Sequence, residues 1–346
     1  MTASDFIKGS EPALHFSKRK VVFVFTFLLF VSLRVFIEPA AFKDYAQYLD
    51  YLSNVKADGI FSGGLDLASN LAFFIAGYFF SDRADAVSAL YVYLFLVFVA
   101  GLVFITFVKR VDWLNYWAFL VLFGPLLAFV TIRATPAYLA FILAFFFLRE
   151  GRTWWALSLS IMAVLFHFSA LLLLPALLGS LLLHKRLEKS RFVRRLAWVV
   201  YLSAIGFGFF MTLFGPGALV SGFELGELFV RYSAYVEEVE PVSGMFHRAY
   251  YWGAVILATA YLVYSRDDWR CKSLIMLASC QFFLVAWSPV LAFRQSIFWV
   301  APLLLVLPFK SLLRSRELRV VTAIGMLAVL LYSFFGIFEP LFLETI

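Results

Sequence analysis

The chain has 346 residues, of which 63% are hydrophobic and only 15% charged, a balance that excludes a soluble globular protein and places it among multi-spanning helical membrane proteins. Its net charge of +7 is carried in clusters between apolar runs, which reads as membrane topology and excludes a nucleic-acid surface. The apolar runs lack period-2 alternation, so a barrel is excluded too: in hydrocarbon the backbone must satisfy itself within helices.

The leader MTASDFIKGSEPALHFSKRK is polar, ends in a basic cluster and is followed by no small-residue cleavage site, so the first helix is expected to stay as an anchor. Lys18, Arg19 and Lys20 precede the apolar run 21–37, which puts the N-terminus in the cytoplasm and 38–70 outside. Arg34, near the outer end of that run, either snorkels to the interface or points inward to an anionic ligand. The polar stretch EPAAFKDYAQYLDY then gathers Glu38, Asp44 and Asp50 among three tyrosines. If 43–52 is helical, Asp44 lies between Tyr48 and Tyr51 on one side while Asp50 points away, which makes Asp44 the better candidate for chemistry. Tyr45, Tyr48, Leu49 and Leu52 recur at i, i+3, i+4, i+7, the stripe of a helix lying in the interface with its aromatic face toward lipid. The stretch is either the lip of an active site or a solvated amphipathic connector.

The run 71–80 is short against the roughly 20 residues that a span needs, and it reads as a re-entrant or juxtamembrane segment. A full crossing there would invert every later basic loop. With it demoted, the spans follow as 86–108, 117–130, 137–148, 154–166, 170–183, 197–213, 250–264, 274–287, 296–307 and 320–338. Basic turns, HKRLEKSRFVRR and KSLLRSRELR among them, then fall on the cytoplasmic side. The expectation is an all-α polytopic integral membrane bundle of about eleven transmembrane helices plus the short segment, with a cytoplasmic N-terminus. Residues 1–346 form one transmembrane domain, with external loops 38–70 and 215–248. Cys271 and Cys280 fall in or beside one apolar span and read as core packing.

This topology puts Arg133, His167 and Arg294 at or just below the outer surface, level with Glu38 and Asp44. A cation at a helix end between apolar spans costs at least about 2.5 to 3.5 kcal/mol and needs water, a carboxylate or an anionic ligand. Arginine suits phosphate because its planar fork donates in pairs. Each arginine alone reads equally well as a structural helix end. His167 is either a turn residue satisfied by backbone, or a neutral donor or proton shuttle. No motif for nucleotide hydrolysis, zinc proteolysis or triad hydrolysis occurs. A carboxylate facing arginines across an apolar bowl suits transfer of a group from a lipid phosphate or pyrophosphate.

Four stretches carry a resemblance: FKDYAQYLDYL, TIRATPAYLAFILAFFFLREGRTWWALSLSIMAVLFHFSALLLLPALL, FVRYSAYVEE and AFRQSIFWVAPLLLVLP. In these the chain resembles the EpsG family of exopolysaccharide membrane proteins, related to Wzy-type polymerases and more distantly to lipid-sugar-dependent glycosyltransferases of the GT-C class. The resemblance implies that Asp44 is the carboxylate near the reacting hydroxyl, and that Arg133, His167 and Arg294 line a lipid-pyrophosphate and sugar site. It implies that Arg231, with Tyr232 and Tyr235, belongs to an external loop closing over substrate. Two departures stand out. Pro136 in RATPA is expected to break a helix start, and Phe42 and Lys43 replace the family's glycine before the aspartate.

The reading is therefore a polymerase in the bacterial inner membrane that joins polyprenyl-pyrophosphate-linked oligosaccharide repeat units outside the cytoplasm. Asp44 is general base or acceptor-orienting group, with Tyr48, Arg34 and Glu38 nearby in the site. Its partners are the lipid-linked oligosaccharide, the bilayer, and a chain-length regulator and flippase of the same pathway, with no nucleic acid. No cofactor is expected and no ligand cluster argues for a metal, although carboxylates beside pyrophosphate are able to recruit magnesium. The rival readings are a GT-C-type transferase of single sugars from polyprenyl phosphate, a ligase passing glycan to lipid A core, a flippase or transporter of the same lipid-linked sugars, and a structural partner of an assembly machine. Charges along a midplane path would mark the transporter, whereas here they sit at one face.

Overall fold

In the computed structural model, residues 18–42, 44–61, 66–109, 111–214 and 244–338 are described. Among them are fourteen α-helices and no strand. They are α1 (Lys18–Phe36), α2 (Asp44–Asp58), α3 (Leu67–Phe79), α4 (Arg83–Val103), α5 (Trp113–Phe129), α6 (Ala134–Arg149) and α7 (Thr153–Phe166). After a 3-10 segment at Phe168–Leu173 come α8 (Leu174–Lys189), α9 (Arg191–Phe214), α10 (Met245–Tyr264), α11 (Trp269–Leu284), α12 (Pro289–Val306), α13 (Phe309–Leu312) and α14 (Arg316–Leu331). Every apolar run expected to span coincides with one of these helices. Five stretches of the described chain are long and apolar enough to cross a membrane: Arg83–Val108, Phe168–Lys189, Arg191–Phe214, Pro289–Val306 and Arg316–Phe335. The protein is a polytopic membrane helical bundle.

Helices that are apolar on every side belong in the middle of such a bundle. α5, α6 and α12 are buried along most of their lengths, whereas α9 and α14 turn long apolar faces outward. Around this centre α6 packs on α7, α11 on α8, and α10 on α14. α10 and α14 approach closely because small residues face each other. A Cβ on Gly253 would lie 2.7 Å from the Gly325 carbonyl oxygen. Gly253→Val is therefore expected to push the two helices apart at a cost of about 1–3 kcal/mol, read as a lower midpoint of thermal unfolding in detergent.

The two ends of the bundle differ in charge. At one end Lys109 pairs with Glu150 at 2.5 Å, Arg149 with Asp267 at 2.8 Å and Lys310 with Asp112 at 3.5 Å. Asn115 stitches the same end by donating to the carbonyls of Leu304 and Leu307 at 2.6 and 2.8 Å. These contacts gather the basic turns expected to be cytoplasmic. The turn between α6 and α7 closes through Gly151 at φ +78°, a left-handed position that favours glycine. Beside it Trp154 and Trp155 are exposed, as an interfacial belt requires.

The contacts also fix the course of α3. Tyr91, in the first half of α4, stacks on Tyr45 of α2, whereas Lys109 beyond the far end of α4 meets Glu150 at the basic end. α4 therefore starts at the end opposite the basic turns, where α3 also starts, and α3 does not cross.

Three expectations need correction. The stripe on α2 does not face lipid: Tyr48 and Leu52 are buried, Tyr45 and Leu49 half-buried, and the rings pack on Phe73 of α3 and Tyr91 of α4. A periodic apolar stripe shows that a helix has a partner surface, and here that surface is protein. Pro136 does not break a helix start either, because it stands in the first turn of α6, where no N–H donor is needed. The second external loop also ends earlier than 248, since α10 begins at Met245 and takes in His247 and Arg248.

Candidate active site

The site is organised by the entrance to α3. Asp66 occupies the N-cap position, where an aspartate ordinarily turns its carboxylate back on its own helix for about 1 kcal/mol. This one makes no cap bond. Its Oδ1 accepts from the Phe168 backbone N–H at 2.6 Å, and its Oδ2 accepts from the Arg133 guanidinium, with His167 Nδ1 at 3.6 Å from the same oxygen.

The chain around His167 explains these contacts. α7 ends at Phe166, His167 is extended at φ −153° and ψ 115°, and the 3-10 segment begins at once. Such a break frees backbone groups that burial would make costly. The start of α3 satisfies them: Asp66 takes the Phe168 N–H, and Ser69 Oγ donates to the Phe166 carbonyl at 2.6 Å. Arg133 is held in turn over the Tyr51 ring, 4.4 Å from its centroid. Tyr51 donates to Asn70, whose amide donates to the Ile60 carbonyl at 2.8 Å.

A second layer connects this cluster to Asp44. The buried Tyr48 hydroxyl lies within electrostatic reach of Asp44, Arg133 and Arg294, and the Tyr91 hydroxyl within reach of Asp44 and Arg34. Burial, then the Asp44 charge, push the Tyr48 phenol well above its ordinary range, so it stays protonated. Arg34 Nη1 donates to the Ile37 carbonyl at 3.2 Å. Several polar atoms at this end, Arg34 Nε, Tyr91 Oη, Arg133 Nε, His167 Nδ1 and Ser169 Oγ, are buried without a hydrogen-bond partner. Buried groups of this kind are normally paired, so a cluster of them beside arginines suits a polar ligand.

The structure thus brings Arg34, Asp44, Tyr48, Arg133, His167 and Arg294 to the end opposite the basic turns. Glu38 stands exposed at the turn Pro39–Ala41. Arg231, with Tyr232 and Tyr235, lies outside the described residues. The residue that sequence reasoning missed is Asp66. In GGLDLASN it has the form of an ordinary helix cap, and only the tertiary contacts reveal that it caps nothing.

Burial would raise the Asp66 pKa, but His167 and Arg133 together hold it down at about 2, below its ordinary value of 3.8. A folded-state pKa below the unfolded one means that the unfolded chain binds more protons between these values. The resulting stability is present above about pH 4 and lost as the pH falls toward 2, amounting to about 2 kcal/mol. Wild-type protein is expected to lose thermal stability relative to Asp66→Asn between pH 5 and pH 2, measured by unfolding in detergent.

No curated protein and no solved structure matches the chain. The sequence model of one family covers residues 18–340, nearly the whole chain, and by that match the protein belongs to the EpsG family.

Proposed function

We propose that this protein is a polysaccharide polymerase that joins polyprenyl-pyrophosphate-linked oligosaccharide repeat units on the outer side of the bacterial inner membrane. Membership of the EpsG family supports a membrane polysaccharide-polymerase-like function in general. The observation that carries the finer reading is the gathering of Arg34, Arg133 and Arg294 with Asp44 and Asp66 at one end, opposite the basic turns. The positive-inside rule assigns those turns to the cytoplasm and the cluster to the outer side.

In the proposed reaction a hydroxyl of the incoming lipid-linked unit attacks the anomeric carbon of the growing glycan. The bond from that carbon to the pyrophosphate oxygen breaks, and polyprenyl pyrophosphate leaves with the electron pair. Asp44 orients the acceptor hydroxyl. Arg133, Arg294 and Arg34 stabilise the charge that develops on the leaving group, the role in which fixed donors lower a barrier most. Arg231 belongs in this proposal to a loop that closes over substrate. The clustering of charge at one end supports chemistry at a surface over passage through the midplane.

The test is reconstitution of the full chain in nanodiscs with a polyprenyl-pyrophosphate-linked repeat unit from a polymer-producing strain. A ladder of products with release of polyprenyl pyrophosphate is expected. A single addition would favour a transferase of single sugars, and movement of the lipid-linked unit without any new glycosidic bond would favour a transporter.

A further inference from the structure

Asp66 and His167 have the relative placement by which a buried carboxylate sets the tautomer of a histidine. His167 Nδ1 is buried, has no other partner and lies 3.6 Å from Asp66 Oδ2. The carboxylate is itself pinned by the Phe168 N–H and by Arg133. Asp66 therefore cannot turn away, and the backbone bond comes from the residue next to His167. With its proton on Nδ1 facing the carboxylate, the imidazole leaves the Nε2 lone pair free. Catalytic hydrogen bonds are often long in an unliganded site and tighten when substrate binds.

We propose that His167 is the proton acceptor for the attacking hydroxyl, through Nε2, and that Asp66 is the positioning residue that selects its tautomer. The inference rests on the polymerase reading and adds to it the route of the proton. The acceptor O–H bond breaks as its oxygen bonds to the anomeric carbon, the proton passes to Nε2, and the imidazolium that forms is stabilised by Asp66. The bond from carbon to pyrophosphate breaks at the same time, and the imidazolium later returns its proton to water. Asp44 orients the hydroxyl from the α2 side and Arg133 faces the leaving pyrophosphate, so three charged groups divide three tasks. Beside this pair stand Arg133 from the α6 entrance, bonded to Asp66, and Tyr51 of α2, stacked on Arg133, while α12, which carries Arg294, packs on Phe168–Leu173.

The experiment uses full-length protein in nanodiscs, with the rate of polyprenyl pyrophosphate release measured per folded protein in wild-type and His167→Ala backgrounds. Wild type must first give the product ladder; if it gives none, the polymerase reading fails, and that result is separate from the fate of His167. Given a ladder, His167→Ala is expected to slow release by about 10²-fold or more, with partial recovery on adding imidazole. Asp66→Asn is expected to slow release by about 10²-fold in the wild-type background and by only about two-fold in the His167→Ala background, because it acts through the imidazole. A merely structural Asp66 would slow both backgrounds by the same factor. Equal slowing by folded Asp66→Asn in the two backgrounds, or His167→Ala within a factor of about two of wild type, overturns the proposal. Should Asp66→Asn fail to accumulate, recovery of His167→Ala by imidazole decides alone, and absence of recovery counts against it.

Discussion

Arg133→Ala is expected to abolish polymer formation, with a rate loss of about 10³-fold, because it removes a fixed cation from the position where pyrophosphate charge develops. The same change also exposes how the site is held. Arg133 and Asp66 share a direct ion pair in which the side chains are 31% and 8% exposed. Removing the arginine leaves a buried carboxylate with one backbone donor and a histidine. Breaking a fully buried pair costs about 3–5 kcal/mol, and the partial exposure of Arg133 reduces the expected cost to about 1–3 kcal/mol. Activity and stability can be separated by adding the second change. Arg133→Ala combined with Asp66→Asn is expected to recover most of the lost thermal stability, since no unpaired charge remains, while activity stays absent. A double-mutant cycle on unfolding midpoints, run beside the polymerisation assay, measures both. Arg133→Lys keeps the charge but loses the planar fork and the stacking on Tyr51, so intermediate activity is expected.

Asp44→Asn is the second large effect, expected at about 10²-fold, the scale on which misplacing a reacting group is felt. The amide keeps the shape and one acceptor oxygen but loses the charge that reaches the Tyr48 and Tyr91 hydroxyls. Binding of the donor lipid is expected to change little, because the arginines that face it remain. The loss is expected in the rate at saturating acceptor, measured as pyrophosphate release in nanodiscs with donor and acceptor concentrations varied separately. Asp50, which is exposed on the other side of α2, supplies the control, and Asp50→Asn is expected to behave as wild type.

Much of the fold was legible because membrane helices carry a signal that does not depend on partners: length and hydropathy. The course of 71–80 was legible from parity, since the basic turns fall on one side only if it does not cross, and the contacts of Tyr91 and Lys109 agree. The facing of α2 was not legible, because a stripe of Tyr45, Tyr48, Leu49 and Leu52 fits lipid and protein equally well until Phe73 and Tyr91 are in place. Arg133, His167 and Arg294 stood out as polar residues at the ends of apolar runs. Asp66 did not, because its position matches a capping residue, and its actual partners lie 67 and 102 positions away in the chain. Sequence spacing cannot reveal a carboxylate whose local role is vacant and whose tertiary role is filled.

The most direct test of the polymerase claim is polymer length on gels from cells deleted for this gene and complemented with wild type, Asp44→Asn, Arg133→Ala or Arg294→Ala at matched membrane abundance. The account predicts a full ladder with wild type and single repeat units with the variants. A ladder that survives deletion of the gene would contradict it.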